Sequence, residues 1–351
     1  MAKGDKFIIP AMAAGFFAMQ GKIAKEAGDT LTIPEGMVNI GGNMRGYLIA
    51  AQTGFDPFAA ANRDSSFTAL TLGDDVYLYA CQHSSGIAKI VCSKNISFPV
   101  GYSASTSRRI GGFHVGRTRP TAQRYASAYA PLTSIVPNSV WDLQHRPQAE
   151  PSGMVEIAPG GAWVDIYLNS VVSGSWPDVV FGPRFGVTPV RSTGGYNELD
   201  LGQGIFNAGK RLPTVEEFIR YAYGAPQGAD GNNDTAWTAT TNTGPCNTGQ
   251  VAKSVSCVGV VDAAGSLWER LDNHFDIGNS TNAYAWDATV VNTGQDAAYA
   301  RGQVHLCAWR RVVGGGGWGE GVRGGARTLD FGAAPWTAGG SIGVRGVSDP
   351  L

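Results

Sequence analysis

The chain has 351 residues, enough for two domains and a sizeable core. Its 49 glycines are roughly twice the usual share, and charged residues make up only 16%, which excludes long charged helices and coiled coils. A formal net charge of −1 gives no basis for a nucleic-acid or membrane partner, and nine tryptophans argue against disorder.

At the N-terminus, Phe7 to Phe17 is a short apolar stretch broken by Pro10 and Gly15. Neither a signal peptide nor a bilayer span is expected from it, so synthesis is expected in the cytoplasm. The β-rich runs 76–81 and 87–92, separated by Ser84-Ser85-Gly86, signal a hairpin. The five cysteines at 81, 92, 246, 257 and 307 show no CxxC or Cys/His zinc spacing, so no metal or other cofactor is expected. Cys81 and Cys92 either face each other across the hairpin or stay buried as free thiols, the favoured reading. Residues 101–109, rich in serine and glycine, read as a linker that divides a mostly-β N-terminal domain, 1–105, from a second domain, 109–351.

Beyond the linker, residues 112–117 read as a strand, and 139–143 form a further island around Trp141. Residues 163–168 alternate with period two. Thr214 with Glu217 makes a capping box after Pro213 and predicts a helix over 214–223, with Phe218, Tyr221 and Ala222 on one face. Residues 225–260 and 276–300 read as long loops. Asp230-Gly231-Asn232-Asn233-Asp234 has the oxygen ligands for Ca²⁺ but not the EF-hand spacing, and reads as a turn.

The segment 314–346 holds 13 glycines in 33 residues. Gly319 to Gly324 spells G-x-G-x-x-G, but the residues after it, Gly325 to Gly332, do not read as a helix and cannot hold a pyrophosphate. The segment instead alternates large anchors (Trp318, Arg327, Leu329, Ile342, Val344, Arg345) with smaller outward residues. Large side chains at fixed spacing can hold an irregular backbone while the residues between them vary.

Four islands carry a resemblance. Arg211-Leu212-Pro213-Thr214-Val215-Glu216-Glu217-Phe218, Asp262-Ala263-Ala264-Gly265-Ser266-Leu267-Trp268-Glu269, the run Arg311 to Trp318 and Ile342-Gly343-Val344-Arg345 resemble, in order, the motifs of the formylglycine-generating-enzyme (sulfatase-modifying factor) family. The resemblance implies an α+β, β-rich chain with a C-type-lectin-like fold of that type over 109–351. It does not carry the family's oxidase chemistry, because the aligned cysteine positions fall at about Glu320 and Gly325 and no thiolate stands there. His274 and His305 are the only nearby alternatives and read as surface or core histidines.

With Gly315 to Ser341 leading into the closing Ile342 to Asp349, the chain is more closely similar to the variable proteins of diversity-generating retroelements, a group that includes phage tropism determinants. Supporting islands are Gly111 to Gly116, 139–143, and Ala236-Trp237-Thr238 with Asn242-Thr243. In that family an error-prone reverse transcriptase diversifies a ligand-binding face. The resemblance implies a variable region at about 315–346. Its variable ligand-binding positions would be Gly317, Gly319, Glu320, Val322, Arg323, Gly324, Ala326, Asp330, Gly332, Trp336, Thr337, Gly339 and Ser341, on a scaffold of Trp318, Arg327, Arg345, Trp268 and Arg211. It implies no catalysis, a protein or cell-surface ligand, attachment through the N-terminal domain to a phage tail or other carrier, and association with a virion. The alternatives are a structural assembly protein and, further off, an oxidase.

Overall fold

The computed structural model describes residues 12–69, 71–123, 129–192, 196–226, 236–239, 243–276, 285–287, 304–306 and 309–351. The chain is β-rich and divides into two compact units. One comprises residues 1–117, 133–156 and 349–351, the other 118–132 and 157–348. The first unit thus runs beyond the expected linker and takes back later segments. Residues 107–109, expected in that linker, instead open a twelve-residue strand.

The first unit holds β1 (Phe17–Met19), β2 (Ala24–Lys25), β3 (Leu31–Ile33), β4 (Gly36–Asn39), β5 (Gly46–Ile49), β6 (Gln52–Phe55), β7 (Asp75–Cys81), β8 (Lys89–Ser93), β9 (Ser107–Thr118), β10 (Leu132–Ile135), β11 (Trp141–Asp142) and β12 (Met154–Glu156). Two three-stranded sheets, β1-β4-β5 and β2-β3-β6, accompany the larger sheet β10-β9-β7-β8, to which β11 adds against β9. The hairpin β7–β8 is the one signalled by the sequence. Val76, Leu78 and Ala80 of β7 join a core with Ile23, Leu31, Val38 and Phe113, while Tyr77, Tyr79 and Cys81 are buried on its other face.

Cys81 pairs across the hairpin with Lys89, and Cys92 with Leu78. The two cysteines are therefore not opposite one another, and both are buried free thiols. Gly112 lies where a Cβ would stand 2.8 Å from the Trp141 indole, so β9 needs glycine there to receive the ring. His114, next but one along β9, is buried against Asp75 at 2.9 Å, a structural position.

The second unit contains β13 (Trp163–Asp165), β14 (Asn169–Ser173), β15 (Val180–Pro183), β16 (Trp268–Asp276), β17 (Ala285–Asp287), β18 (Val304–Leu306), β19 (Trp309–Gly314), β20 (Leu329–Ala333), β21 (Ile342–Gly343) and β22 (Val347–Ser348). Its two α-helices are α1 (Glu198–Phe206) and α2 (Val215–Tyr221). The central sheet runs β20-β19-β16-β21. β21 lies parallel to β16, while β19 is antiparallel to both β16 and β20. Residues 163–168 do not alternate between core and solvent: all six are buried, and only the first three form a strand.

Helix α2 starts as the sequence implies. Thr214 accepts from the Glu217 amide, and the Glu217 carboxylate accepts from the Thr214 amide. Phe218, Tyr221 and Ala222 are fully buried. Helix α1 is capped in the same reciprocal way by Asn197 and Asp200. Its Gly204 lies where a Cβ would meet the Phe181 ring at 2.4 Å, which lets the helix sit directly on β15.

Candidate functional site

The four sequence islands meet in the second unit. Arg345, fully buried, donates from Nε and Nη2 to both carboxylate oxygens of Glu269 at 2.9 and 2.7 Å. Its Nη1 reaches the carbonyls of Asp165 and Ile166 at 2.9 and 2.8 Å, and its Nη2 that of Val261 at 2.9 Å. Tyr221 of α2 donates to the same Glu269 carboxylate at 2.7 Å. The closing I-G-V-R island is thereby locked to the W-E island. Beside it, Asp165 accepts from Lys210 at 2.5 Å, from Asn169 at 2.7 Å and from the Gly346 amide at 3.1 Å. Each buried charge has its partner, as burial demands.

The glycine run after β19 exists because backbone packs on backbone there. Gly315 has φ +92°, and a Cβ on it would lie 2.6 Å from the Ala263 carbonyl. Gly316 has φ +86°, with Gly324 Cα 2.8 Å from its would-be Cβ. The Gly265 amide donates to the carbonyls of Gly315 and Gly316, and Ser266 bridges Gly317. We expect Gly315→Ala to destabilise the second unit by about 1–3 kcal/mol, through both the positive φ and the carbonyl clash. Thermal unfolding measures this, and a variant melting with the wild type would refute that packing.

From this neck two loops emerge. The first, 315–328, is closed by hydrogen bonds from Gly315 to Thr328 and from Gly325 back to Gly315. Its tip is a 3-10 turn, 321–323, held from beneath by a 2.6 Å bond from the Gly321 amide to the Thr238 hydroxyl. The G-x-G-x-x-G stretch is this turn, and it leads into β20. The second loop, 334–341, is held by Arg270, which donates to the carbonyls of Ala334 and Thr337, and by the Glu198 amide, which donates to the Pro335 carbonyl. Ser341 then accepts from the Trp268 amide.

Glu198 sits beneath this second loop with its carboxylate 2.6 Å from Arg311 and 3.8 Å from Arg270. Burial pushes the Glu198 carboxyl up to about 7, against the pull of Arg311 and Arg270. Arg311 also reaches the Asp272 carboxylate at 3.5 Å, so it is paired with two carboxylates.

Among the expected variable positions, Gly319, Val322, Arg323, Asp330 and Gly332 are exposed. Glu320, Ala326, Trp336, Thr337, Gly339 and Ser341 are half-buried. Gly317 and Gly324 are buried. A Cβ at 317 would lie 3.1 Å from Trp268, and one at 324 would lie 3.0 Å from Thr238, so these two face inward. Among the expected scaffold residues, Arg345 and Trp268 are buried. Arg211 makes a two-pronged bond to Glu217 at 2.7 and 2.9 Å. Trp318 is only half-buried, and Arg327 stands exposed on the loop rather than beneath it.

Trp141 and Trp163 are core residues, and Trp237 is half-buried with its indole N–H on the Gly244 carbonyl. His274 is exposed. The side chains of His305 and Trp309, residues 230–234, Asn242 and Cys307 lie outside the described residues. Among the described residues no group of three or more His, Cys, Asp or Glu side chains is placed to hold a metal ion. Sequence reasoning passed over Phe275 on β16 and Phe331 on β20, whose rings meet edge-on at 5.3 Å while both remain substantially exposed.

Three comparisons bear on this arrangement. The family described as "Mtd second domain" matches residues 22–142. The "Tail fiber receptor-binding protein" of Bordetella phage BPP-1 is 30% identical over 299 residues, covering 81% of this chain and 73% of that protein. Among solved structures, the U1 variant of the major tropism determinant matches with a TM-score of 0.71 at 26% identity, over 97% of this chain and 87% of that one. The M1 variant matches with the same TM-score and identity, over 97% of this chain and 86% of that one. With sequence identity over most of both proteins and the same fold along nearly its whole length, the chain belongs to the major tropism determinant family of retroelement-diversified variable proteins.

Proposed function

We propose that this chain is a receptor-binding protein of a phage tail fibre, non-catalytic, whose C-terminal loops form a diversified surface for a cell-surface ligand. The observation that carries the reading is the separation of roles in residues 315–346. Their backbone is fixed from beneath by Arg345, Arg270, Glu198, Thr238 and the glycine neck, while all but two of the expected variable positions reach the surface. Substitutions at such positions leave the frame intact, which a surface that must change without unfolding requires.

In this reading the second unit is a C-type-lectin-like domain of the formylglycine-generating-enzyme type. The resemblance of its four islands, which converge on Arg345 and Glu269, supports that assignment. The absence of a thiol at Glu320 and Gly325, the aligned oxidase positions, supports a binding role over an oxidase. The N-terminal domain, residues 1–105 in the sequence division, would attach the protein to the tail and so place it on the virion.

The test is genetic and direct. The DNA around the gene should contain a near-copy of the stretch encoding 315–346, beside a reverse-transcriptase gene, differing only where the copy reads adenine. Replacing the gene's stretch with another variant should then change which cells the phage adsorbs to. Absence of the repeat together with unchanged adsorption would leave a fixed assembly protein instead.

A further inference from the structure

The tip of the first loop is tied down by a side chain from outside the variable segment. Thr238 belongs to a 3-10 turn, 237–239, that packs against the turn 321–323 at the tip. It is buried, and its hydroxyl accepts from the Gly321 amide at 2.6 Å. Among the described residues this is the one side-chain hydrogen bond that reaches residues 319–326 from outside the loop. The bonds from Glu320 to Gly317, from Arg323 to Glu320 and from Gly324 to Gly321 shape the turn but stay within the loop.

The methyl group of Thr238 makes a separate contact. It lies 2.7 Å from the place of a Cβ on Gly265 and 3.0 Å from that of one on Gly324, so it is wedged between the D-x-x-G island and the loop. The two residues after Gly321, Val322 and Arg323, are exposed. One buried side chain thus offers a hydrogen bond to the tip and a packing contact to its base.

We propose that Thr238 is a positioning residue of the ligand surface, a fixed latch that holds the tip in one pose whatever side chains stand at 319, 320, 322 and 323. The inference rests on the reading of residues 315–346 as a ligand surface and adds how that surface keeps its shape as it changes. Two features carry it. Thr238 lies outside 315–346, so diversification of that segment leaves it in place. Its bond goes to a main-chain N–H, which every residue except proline supplies, so the latch does not depend on the side chains of the loop. A contact made to a variable side chain would be lost with the first substitution there. An ordered tip also has less conformational freedom to lose on binding, which raises the affinity obtained from the same contacts.

The test uses the full chain and separates the two halves of the side chain. Thr238→Val keeps the methyl contact and removes the acceptor, while Thr238→Ser keeps the hydroxyl and removes the methyl. Two readouts report local opening of the tip: hydrogen exchange in peptides covering 319–326, and the rate of the tryptic cut after the exposed Arg323. Thr238→Val is expected to raise both by about five- to tenfold, the effect of one hydrogen bond, and Thr238→Ser to stay within about twofold of wild type. Exchange in 342–348 should be the same in all three proteins. The same ratio between Thr238→Val and wild type in exchange of 319–326 is expected when Val322→Ser and Arg323→Ser are both present, since the latch reads the backbone alone.

A tip that opens no faster in Thr238→Val overturns the proposal. So does equal acceleration in the valine and serine variants, which would assign the effect to packing. Loss of protection in 342–348 together with 319–326, or a valine variant that does not fold, would make Thr238 part of the common frame and not a latch on the tip. A ratio that vanishes in the Val322→Ser/Arg323→Ser background would show that the pose depends on the loop's own side chains. Neither readout involves a ligand, so the latch can fail while the ligand reading stands, and the reverse.

Discussion

Replacing Arg345 by methionine is expected to destabilise the second unit by about 3–5 kcal/mol, the cost of leaving a buried charge without its partner. The Glu269 carboxylate would keep only the Tyr221 hydroxyl, and the carbonyls of Asp165, Ile166 and Val261 would each lose a charged donor. Neither side chain of the pair has any exposed surface, so no water stands ready to replace the guanidinium. The exposed pair Arg109–Glu150 of the first unit makes the contrast. There the glutamate side chain is 44% exposed, and breaking the pair is expected to cost less than about 1 kcal/mol. Because the chain has two compact units, the cost is best read locally. Hydrogen exchange of peptides covering 342–348 should accelerate strongly in Arg345→Met, while peptides from 107–118 keep their protection. The double variant Glu269→Met/Arg345→Met should recover part of the loss, because it removes both charges together. Equal protection of 342–348 in wild type and Arg345→Met would refute the frame.

Such a frame matters for a surface that changes. A loop substitution at an outward position costs within about 0.5 kcal/mol in either direction unless it touches a special backbone site. The reserve that tolerates many of these together sits in buried contacts that the substitutions do not reach. Gly315, Gly316 and Gly321 are the exceptions inside the segment. Each has positive φ, and each is expected to stay glycine in functional variants.

How much of this is legible in the sequence depends on how local the signals are. The α2 start is readable because a capping box lies within four residues, Thr214 to Glu217. The hairpin β7–β8 is readable because two apolar runs flank a turn. Helix α1 is hidden because its capping box uses Asp200 rather than Glu or Gln, and because Gly202 and Gly204 interrupt the pattern. Gly204 is required by the Phe181 ring, a tertiary contact no local window contains. The linker expected over 101–109 is overruled in the same way, since Ser107, Arg108 and Arg109 pair with Cys81, Ala80 and Tyr79 on β7. At the candidate site the order of motifs leads to the segment and to Arg345. Which residues face outward is only partly legible: Gly317 and Gly324 face in, Arg327 faces out, and Phe275 lies some forty residues before the glycine run.

A pH dependence arises from Glu198 and has a definite sign. Its carboxyl is moved from an ordinary 4.5 up to about 7, chiefly by burial, with Asp272 adding to the rise and Arg311 and Arg270 opposing it. A carboxyl whose value is raised on folding binds a proton more tightly in the native state. Its contribution to stability is therefore complete below the unfolded value and is lost as pH rises through the folded one. Between pH 5 and 8 the second unit should lose about 2–3 kcal/mol from this group. In the first unit Asp64 has the opposite sign. Burial alone would raise it, but hydrogen bonds from Ser66, Ser93 and Val100 lower it, so its contribution is lost only as the solution becomes acid, outside this window. Glu198→Gln, which keeps the shape of the protonated acid, should show a flat profile from pH 5 to 8, matching wild type at the lower end and exceeding it at the upper. The expected locus is the loop 334–341, because the Glu198 amide holds Pro335 and Arg270 holds Ala334 and Thr337. Hydrogen exchange there, measured against pH in both proteins, decides the matter: a flat wild-type profile between pH 5 and 8 would show that the two arginines keep the carboxylate ionised throughout, and a wild-type slope that survives in Glu198→Gln would assign the dependence to another group.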